Sequence, residues 1–81
     1  MVVGLVCKKD DPEALTLSAR VTQWAKDNKF DCLMEDHIAD FFQQEHTGDV
    51  WEKSDLFIAI GGDGTLLRVL RMLAPREAPI L

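Results

Sequence analysis

Leu56-Phe57-Ile58-Ala59-Ile60-Gly61-Gly62-Asp63-Gly64-Thr65 carries five consecutive apolar residues straight into three glycines set within four positions. An uninterrupted apolar run of that length, closed by glycines, predicts a β-strand covered on both faces. Thr65 to Leu73 then shows helical spacing, with Leu66, Leu67, Leu70 and Leu73 expected inward and Arg68 and Arg71 outward. Pro75 and Pro79 are expected to stop that helix, and Pro79-Ile80-Leu81 reads as the start of a further strand.

Upstream, the same alternation repeats. Val2 to Val6 is a short apolar run predicting a strand buried on both faces, and Gly4 inside it marks either a group packed close on the backbone or, equally, a plain strand glycine. Asp11-Pro12-Glu13 reads as a helix start, with Asp11 as the cap and Pro12 at the first helical position. Ala14, Leu17, Val21, Trp24 and Ala25 then form the expected apolar stripe, with Trp24 as a core anchor, up to a stop at Asp27-Asn28, where Asn28 tolerates the left-handed conformation. Phe30 to Met34 predicts a second strand, Glu35 to Thr47 has only weak helical spacing, and Val50 to Ser54 suits a brief helical segment. Strands alternating with helices predict an α/β fold, a parallel sheet flanked by helices in three layers with right-handed crossovers.

The composition narrows the function classes. At 81 residues the chain holds one small domain with a marginal core of its own, and 47% hydrophobic with 28% charged residues is the balance of a folded domain rather than a disordered one. No apolar run approaches the roughly 18 residues of a membrane span. The N-terminal charges follow the apolar stretch instead of preceding it, unlike a secretory signal, so a cytoplasmic protein is expected. Cys7 and Cys32 read as two free, buried thiols of a reducing compartment, and neither His37 nor His46 has a cysteine at zinc spacing, so no metal site is assigned. The net charge of −5 argues against nucleic acid, whose binding rests on neutralised phosphates. Residues 1–60 carry 6 basic and 12 acidic side chains, whereas residues 61–81 carry 3 basic and 2 acidic ones. That local reversal fits a small anionic ligand.

The chemistry concentrates in Gly61-Gly62-Asp63-Gly64-Thr65. A strand-to-helix turn on an open α/β sheet lies where ligands bind, and the helix N-terminus offers free N–H groups to an anion. Glycines let a phosphate approach the backbone. Asp63 is out of place in a plain phosphate cradle. It makes sense as an acceptor or orienter of a hydroxyl proton, or as a holder of a divalent cation bridging to phosphates; the plainer alternative is that it caps the following helix. Thr65 suits either a cap or a hydroxyl donated to phosphate. Arg68 lies one helical turn beyond Gly64, near the anion position, against the plainer reading of a solvated helix charge. Glu35, Asp36 and Asp40 read as a solvated acidic stretch. The chain has no Gly-Lys pair for a P-loop, and Leu67 occupies the place of the third glycine of a dinucleotide fingerprint.

A hydrophobic strand entering Gly61-Gly62-Asp63-Gly64-Thr65 and followed by Leu66-Leu67-Arg68 resembles the NAD kinases, which phosphorylate the 2′-hydroxyl of the adenosine ribose of NAD to make NADP. The glycine-aspartate motif is shared with diacylglycerol and sphingosine kinases; the Leu-Leu-Arg continuation and the closing Pro79-Ile80-Leu81 resemble the NAD kinases more. The resemblance implies an incomplete Rossmann-like N-terminal domain, residues 1–81, of a longer chain whose β-rich C-terminal domain is absent, with nucleotide-binding function. It implies Asp63 as proton acceptor and contact to the NAD ribose with Gly64, Arg68 as a contributor to NAD binding, and Gly61, Gly62 and Thr65 as the backbone and hydroxyl against which phosphates lie. NAD and ATP are the implied substrates, with polyphosphate an alternative donor and a divalent metal, magnesium, as cofactor. Small-molecule nucleotides are the implied partners, with neither nucleic acid nor a membrane, in a homo-oligomeric full-length protein. Two other readings stay open: a lipid or sugar kinase of the same superfamily, and a non-catalytic binding module in which the glycine turn is only a helix cap.

Overall fold

Val3, Leu5, Val6 and Cys7 are wholly inaccessible to solvent, which requires cover on both faces of the strand they form. The computed structural model describes residues 1–73 and 79–81. Strand β1 (Val2–Cys7) is the centre of a three-stranded parallel sheet, flanked by β2 (Asp31–Met34) and β3 (Leu56–Ile60) in the order β2-β1-β3. Side chains alternate across β1, so Leu5 and Cys7 face one layer, where helix α1 (Pro12–Asp27) and the short α2 (Asp36–Phe41) supply Ala14, Leu15, Ile38 and Ala39. Val6 faces the other layer, packed with Phe57 of β3, Val50 of α3 (Val50–Lys53), and Val69 and Leu73 at α4 (Asp63–Met72). This is the expected three-layer α/β arrangement. The expected strand start at the C-terminal end is present as a parallel bridge between Ile80 and Phe57, so the sheet begins to extend beyond β3.

The start of α1 follows the sequence reading. Asp11 Oδ1 accepts the amides of Glu13 (3.1 Å) and Ala14 (3.3 Å), with Pro12 opening the helix. Its packing follows that reading at Ala14, Val21 and Ala25, which meet the core, but not at Leu17 and Trp24. Leu17 and Trp24 are about half exposed, and the buried stripe is Ala14, Leu15, Ser18 and Ala25. Small residues let the helix lie close on the sheet, and Ser18 satisfies its hydroxyl on the Ala14 carbonyl at 2.9 Å. Trp24 is therefore not a core anchor. The left-handed residue is Lys29 (φ 61°), one position beyond Asn28. The Lys29 amide donates to the Lys26 carbonyl (3.0 Å) and the Phe30 amide to the Ala25 carbonyl (2.8 Å), a Schellman closure. Trp24 meets Phe30 edge-on at 5.5 Å, which is the apolar contact that accompanies such a closure.

Helix α4 buries Leu73 as expected but turns the other three leucines outward. Thr65, Val69 and Leu73 are buried, while Leu66, Leu67 and Leu70 are 43–54% exposed. The turn before the helix fixes Thr65 beneath the backbone, and the stripe that follows at four-residue steps is Thr65, Val69 and Leu73. The expected stop at Pro75 lies outside the described residues. Both cysteines are free; Cys7 is buried and Cys32 half-buried, and burial raises both thiols above their ordinary value. Among the described residues no helix is long and apolar enough to cross a membrane.

Gly4 shows why β1 needs a glycine in its middle. A Cβ there would stand 2.3 Å from Ser54 Oγ and 2.7 Å from Ser54 Cβ, with Val50 Cγ2 at 3.0 Å. Gly4→Ala is expected to destabilise the fold by about 1–3 kcal/mol through overpacking, read as a lower denaturation midpoint with an unchanged slope; an unchanged midpoint would show that α3 is free to move away.

The loop after α2 is fastened by charge. Exposed His46 sits 2.8 Å from an Asp40 oxygen and 3.4 Å from one of Asp36, and the hydrogen bond to Asp40, then the charge of Asp36, raise its pKa above 6.5. A raised histidine pKa stabilises the folded loop below the unfolded value of about 6.5, and that contribution is lost as the pH rises through the folded value. Amides of residues 43–49 are expected to exchange faster at pH 8 than at pH 6 after correction for the intrinsic rate, and His46→Ala is expected to abolish the difference.

Candidate functional site

In the order β2-β1-β3 the chain steps from the central strand to one neighbour and later to the other, so the topological switch point lies between β1 and β3. These strands end together: Cys7 is in register with Ile60, and the Lys8 amide donates to the Ile60 carbonyl at 2.9 Å. Beyond that shared end opens a crevice of about 490 Å³ lined by Lys8, Lys9, Gly62, Asp63, Gly64, Thr65 and Arg68.

The three glycines of the turn do different work. Gly61 has φ +142°, and a Cβ on it would lie 2.6 Å from Thr65 Oγ1 and 2.9 Å from Lys8 Cβ. It shapes the turn and is not part of the crevice wall. Gly62 and Gly64 have open space where a Cβ would be, and both line the crevice. Gly62 is also the N-cap of α4, so the helix begins two residues earlier than its apolar spacing predicts, at Asp63. Thr65 lies inside the first turn, buried, and its amide donates to the Gly62 carbonyl at 3.0 Å. The plainer alternative, a helix cap at Asp63 or Thr65, does not hold: Gly62 takes the N-cap position, and Asp63 is the first helical residue and exposed. A carboxylate is thus left at the crevice, beside the positive end of α4 and two exposed lysines.

Arg68 is not a solvated helix charge. Its Nη1 pairs with Glu35 Oε2, and its Nη2 donates to the Cys7 carbonyl at 2.7 Å. Glu35 likewise leaves the solvated acidic stretch to which its neighbours suggested it belongs. Its side chain is 11% exposed, accepts the Cys7 amide at 3.3 Å, and lies 3.1 Å from His37 Nε2. Burial is the main cause that raises the Cys7 thiol above its ordinary value, and the residue is wholly inaccessible to solvent.

The structure therefore gathers Gly62, Asp63, Gly64, Thr65 and Arg68 around one crevice, with Gly61 behind them. Lys8 and Lys9 line the same crevice and Glu35 holds Arg68 from behind it, and sequence reasoning assigned none of the three to the site. Lys8-Lys9 carried a readable signal, since two bases directly follow the central strand of a sheet whose strand ends hold ligands. Glu35 carried none, because nothing in the sequence sets it apart from Asp36. Among the described residues no group of three or more His, Cys, Asp or Glu could hold a metal ion.

Residues 3–81 match the family described as the ATP-NAD kinase N-terminal domain. The chain belongs to that family. The NAD kinase of Geotalea daltonii is 30% identical over 82 residues, taking in 98% of this chain and 29% of its own length. The NAD kinase of Methanopyrus kandleri is 33% identical over 81 residues, with 99% and 29% covered. The bifunctional NADP phosphatase/NAD kinase of Methanocaldococcus jannaschii is 34% identical over 80 residues, with 96% and 13% covered. The chain thus spans less than a third of the length of these relatives. In this ATP-NAD kinase N-terminal domain, Gly61→Ala is expected to cost about 1–3 kcal/mol from backbone strain, whereas Gly64→Ala, in a helix and facing open space, is expected to leave thermal stability unchanged or slightly raised. Equal losses at both positions would contradict this division of roles.

Proposed function

We propose that this chain is the N-terminal part of a NAD kinase, which transfers a phosphoryl group from ATP, or from polyphosphate, to the 2′-hydroxyl of the adenosine ribose of NAD to give NADP. The observation that carries this reading is the exposed Asp63 at the crevice, where the ends of β1 and β3, Lys8, Lys9 and the N-terminus of α4 converge. In an anion site a lone acid has a use when a hydroxyl must lose its proton as it attacks.

The chemistry follows from the parts. The α4 N-terminus and the open sides of Gly62 and Gly64 admit phosphate oxygens close to the backbone. Lys8 and Lys9 offset the phosphate charge. Arg68, which lines the same crevice, contributes to NAD binding, and Thr65 supports the turn. Asp63 takes the 2′-hydroxyl proton as that oxygen bonds to the terminal phosphorus of the donor; the bond from that phosphorus to the bridging oxygen breaks, and the shortened donor leaves with the electron pair. One carboxylate beside the phosphates suits a magnesium ion that arrives on the nucleotide rather than in a protein cage, and such an ion would neutralise charge on the transferred group.

In the full-length protein, Asp63→Asn is expected to lower kcat by about 10²–10⁴-fold with little change in NAD affinity. Steady-state kinetics with equilibrium binding of NAD checks this; equal losses in kcat and affinity, or no loss, would contradict the role. Phosphate appearing on diacylglycerol and not on NAD would assign the same crevice to a lipid kinase.

A further inference from the structure

We infer that Glu35 is a positioning residue for Arg68, fixing the guanidinium at the rim of the nucleotide crevice; the inference rests on the function proposed above. Glu35 follows the last residue of β2, and its own amide continues the sheet by donating to the Leu5 carbonyl at 3.3 Å. Its backbone is therefore held by β1. Its carboxylate is held as well, by the Cys7 amide on one oxygen. The other oxygen takes Arg68 Nη1, while Arg68 Nη2 reaches the Cys7 carbonyl. Arg68 is thus tied twice, to a side chain anchored on β2 and to the backbone end of β1.

The pair also divides two spaces. Arg68 lines the 490 Å³ crevice at the glycine turn, whereas Glu35 lines a neighbouring crevice of about 750 Å³, and Lys9 borders both. A guanidinium carries five N–H donors, so two bonds on the inner side leave donors for an anion. A free arginine on a helix surface has many rotamers to lose when it meets a ligand. An arginine already fixed loses few, and the gain goes to binding rather than to the chemical step. Glu35 need not touch the nucleotide to have this effect.

The test uses the full-length protein with Glu35→Ala, Glu35→Gln, Arg68→Ala and the Glu35→Ala/Arg68→Ala pair. Glu35→Ala is expected to raise the KM for NAD about tenfold with kcat within about threefold, the size of one lost positioned contact. Glu35→Gln, which keeps the shape and an accepting oxygen, is expected to recover most of that loss. Added to Arg68→Ala, Glu35→Ala is expected to change KM no further. Melting temperatures give a readout independent of turnover: Arg68→Ala alone is expected to melt lower than the pair, because it leaves the Glu35 carboxylate sequestered without its cation. An active enzyme whose KM for NAD ignores Glu35, or in which the two losses multiply, overturns the positioning role. A wild-type protein that phosphorylates no NAD overturns the functional reading instead, so the two failures are distinguishable.

Discussion

Parallel pairing of β1 with β3, with their C-terminal ends level, is the constraint on which the rest depends. The register Val3↔Leu56 through Cys7↔Ile60 brings Lys8 against the Ile60 carbonyl and Gly61 against Lys8. With the ends level, the chain leaving β1 enters α1 on one face and the chain leaving β3 enters α4 on the other. A gap between the two exits is then unavoidable, and whatever residues follow the strands line it. Here those residues are two lysines from one strand and a glycine-aspartate turn from the other.

The local charge follows from the same arrangement. The chain as a whole is acidic, at −5, yet the crevice collects Lys8, Lys9 and Arg68 against one carboxylate, Asp63. Arg68 is balanced by Glu35 from the far side of β1. The lysines and the α4 N-terminus remain to meet an anion, and Asp63 is left without a structural duty as a cap. A small domain with a modest core spends little of its polar inventory at this spot on stability, which fits a site shaped for a ligand.

Much of this was legible in the sequence because it rested on strong local signals. Continuous apolar runs at Val2–Val6 and Leu56–Ile60 predict strands buried on both faces, and Asp11-Pro12 marks a helix start whatever surrounds it. Gly4 signalled close packing, which Ser54 supplies. What was not legible depended on how helices rotate once docked. Trp24 and Leu66, Leu67 and Leu70 are large apolar residues, so a periodicity count places them inward; the structure leaves them exposed and buries Ser18, Thr65 and Val69, small or branched residues that let the helices approach the sheet. The Glu35–Arg68 pair spans 33 positions and three elements, and no spacing rule reaches that far.

The proposed function requires the nucleotide to sit at the level ends of β1 and β3. Amide chemical-shift mapping of the isotope-labelled full-length protein during titration with NAD tests it most directly. The largest changes are expected at Gly62, Asp63, Gly64 and Thr65, with smaller ones at Lys8, Lys9 and Arg68. Changes gathered on the exposed side of α1, with the glycine turn unmoved, would contradict it.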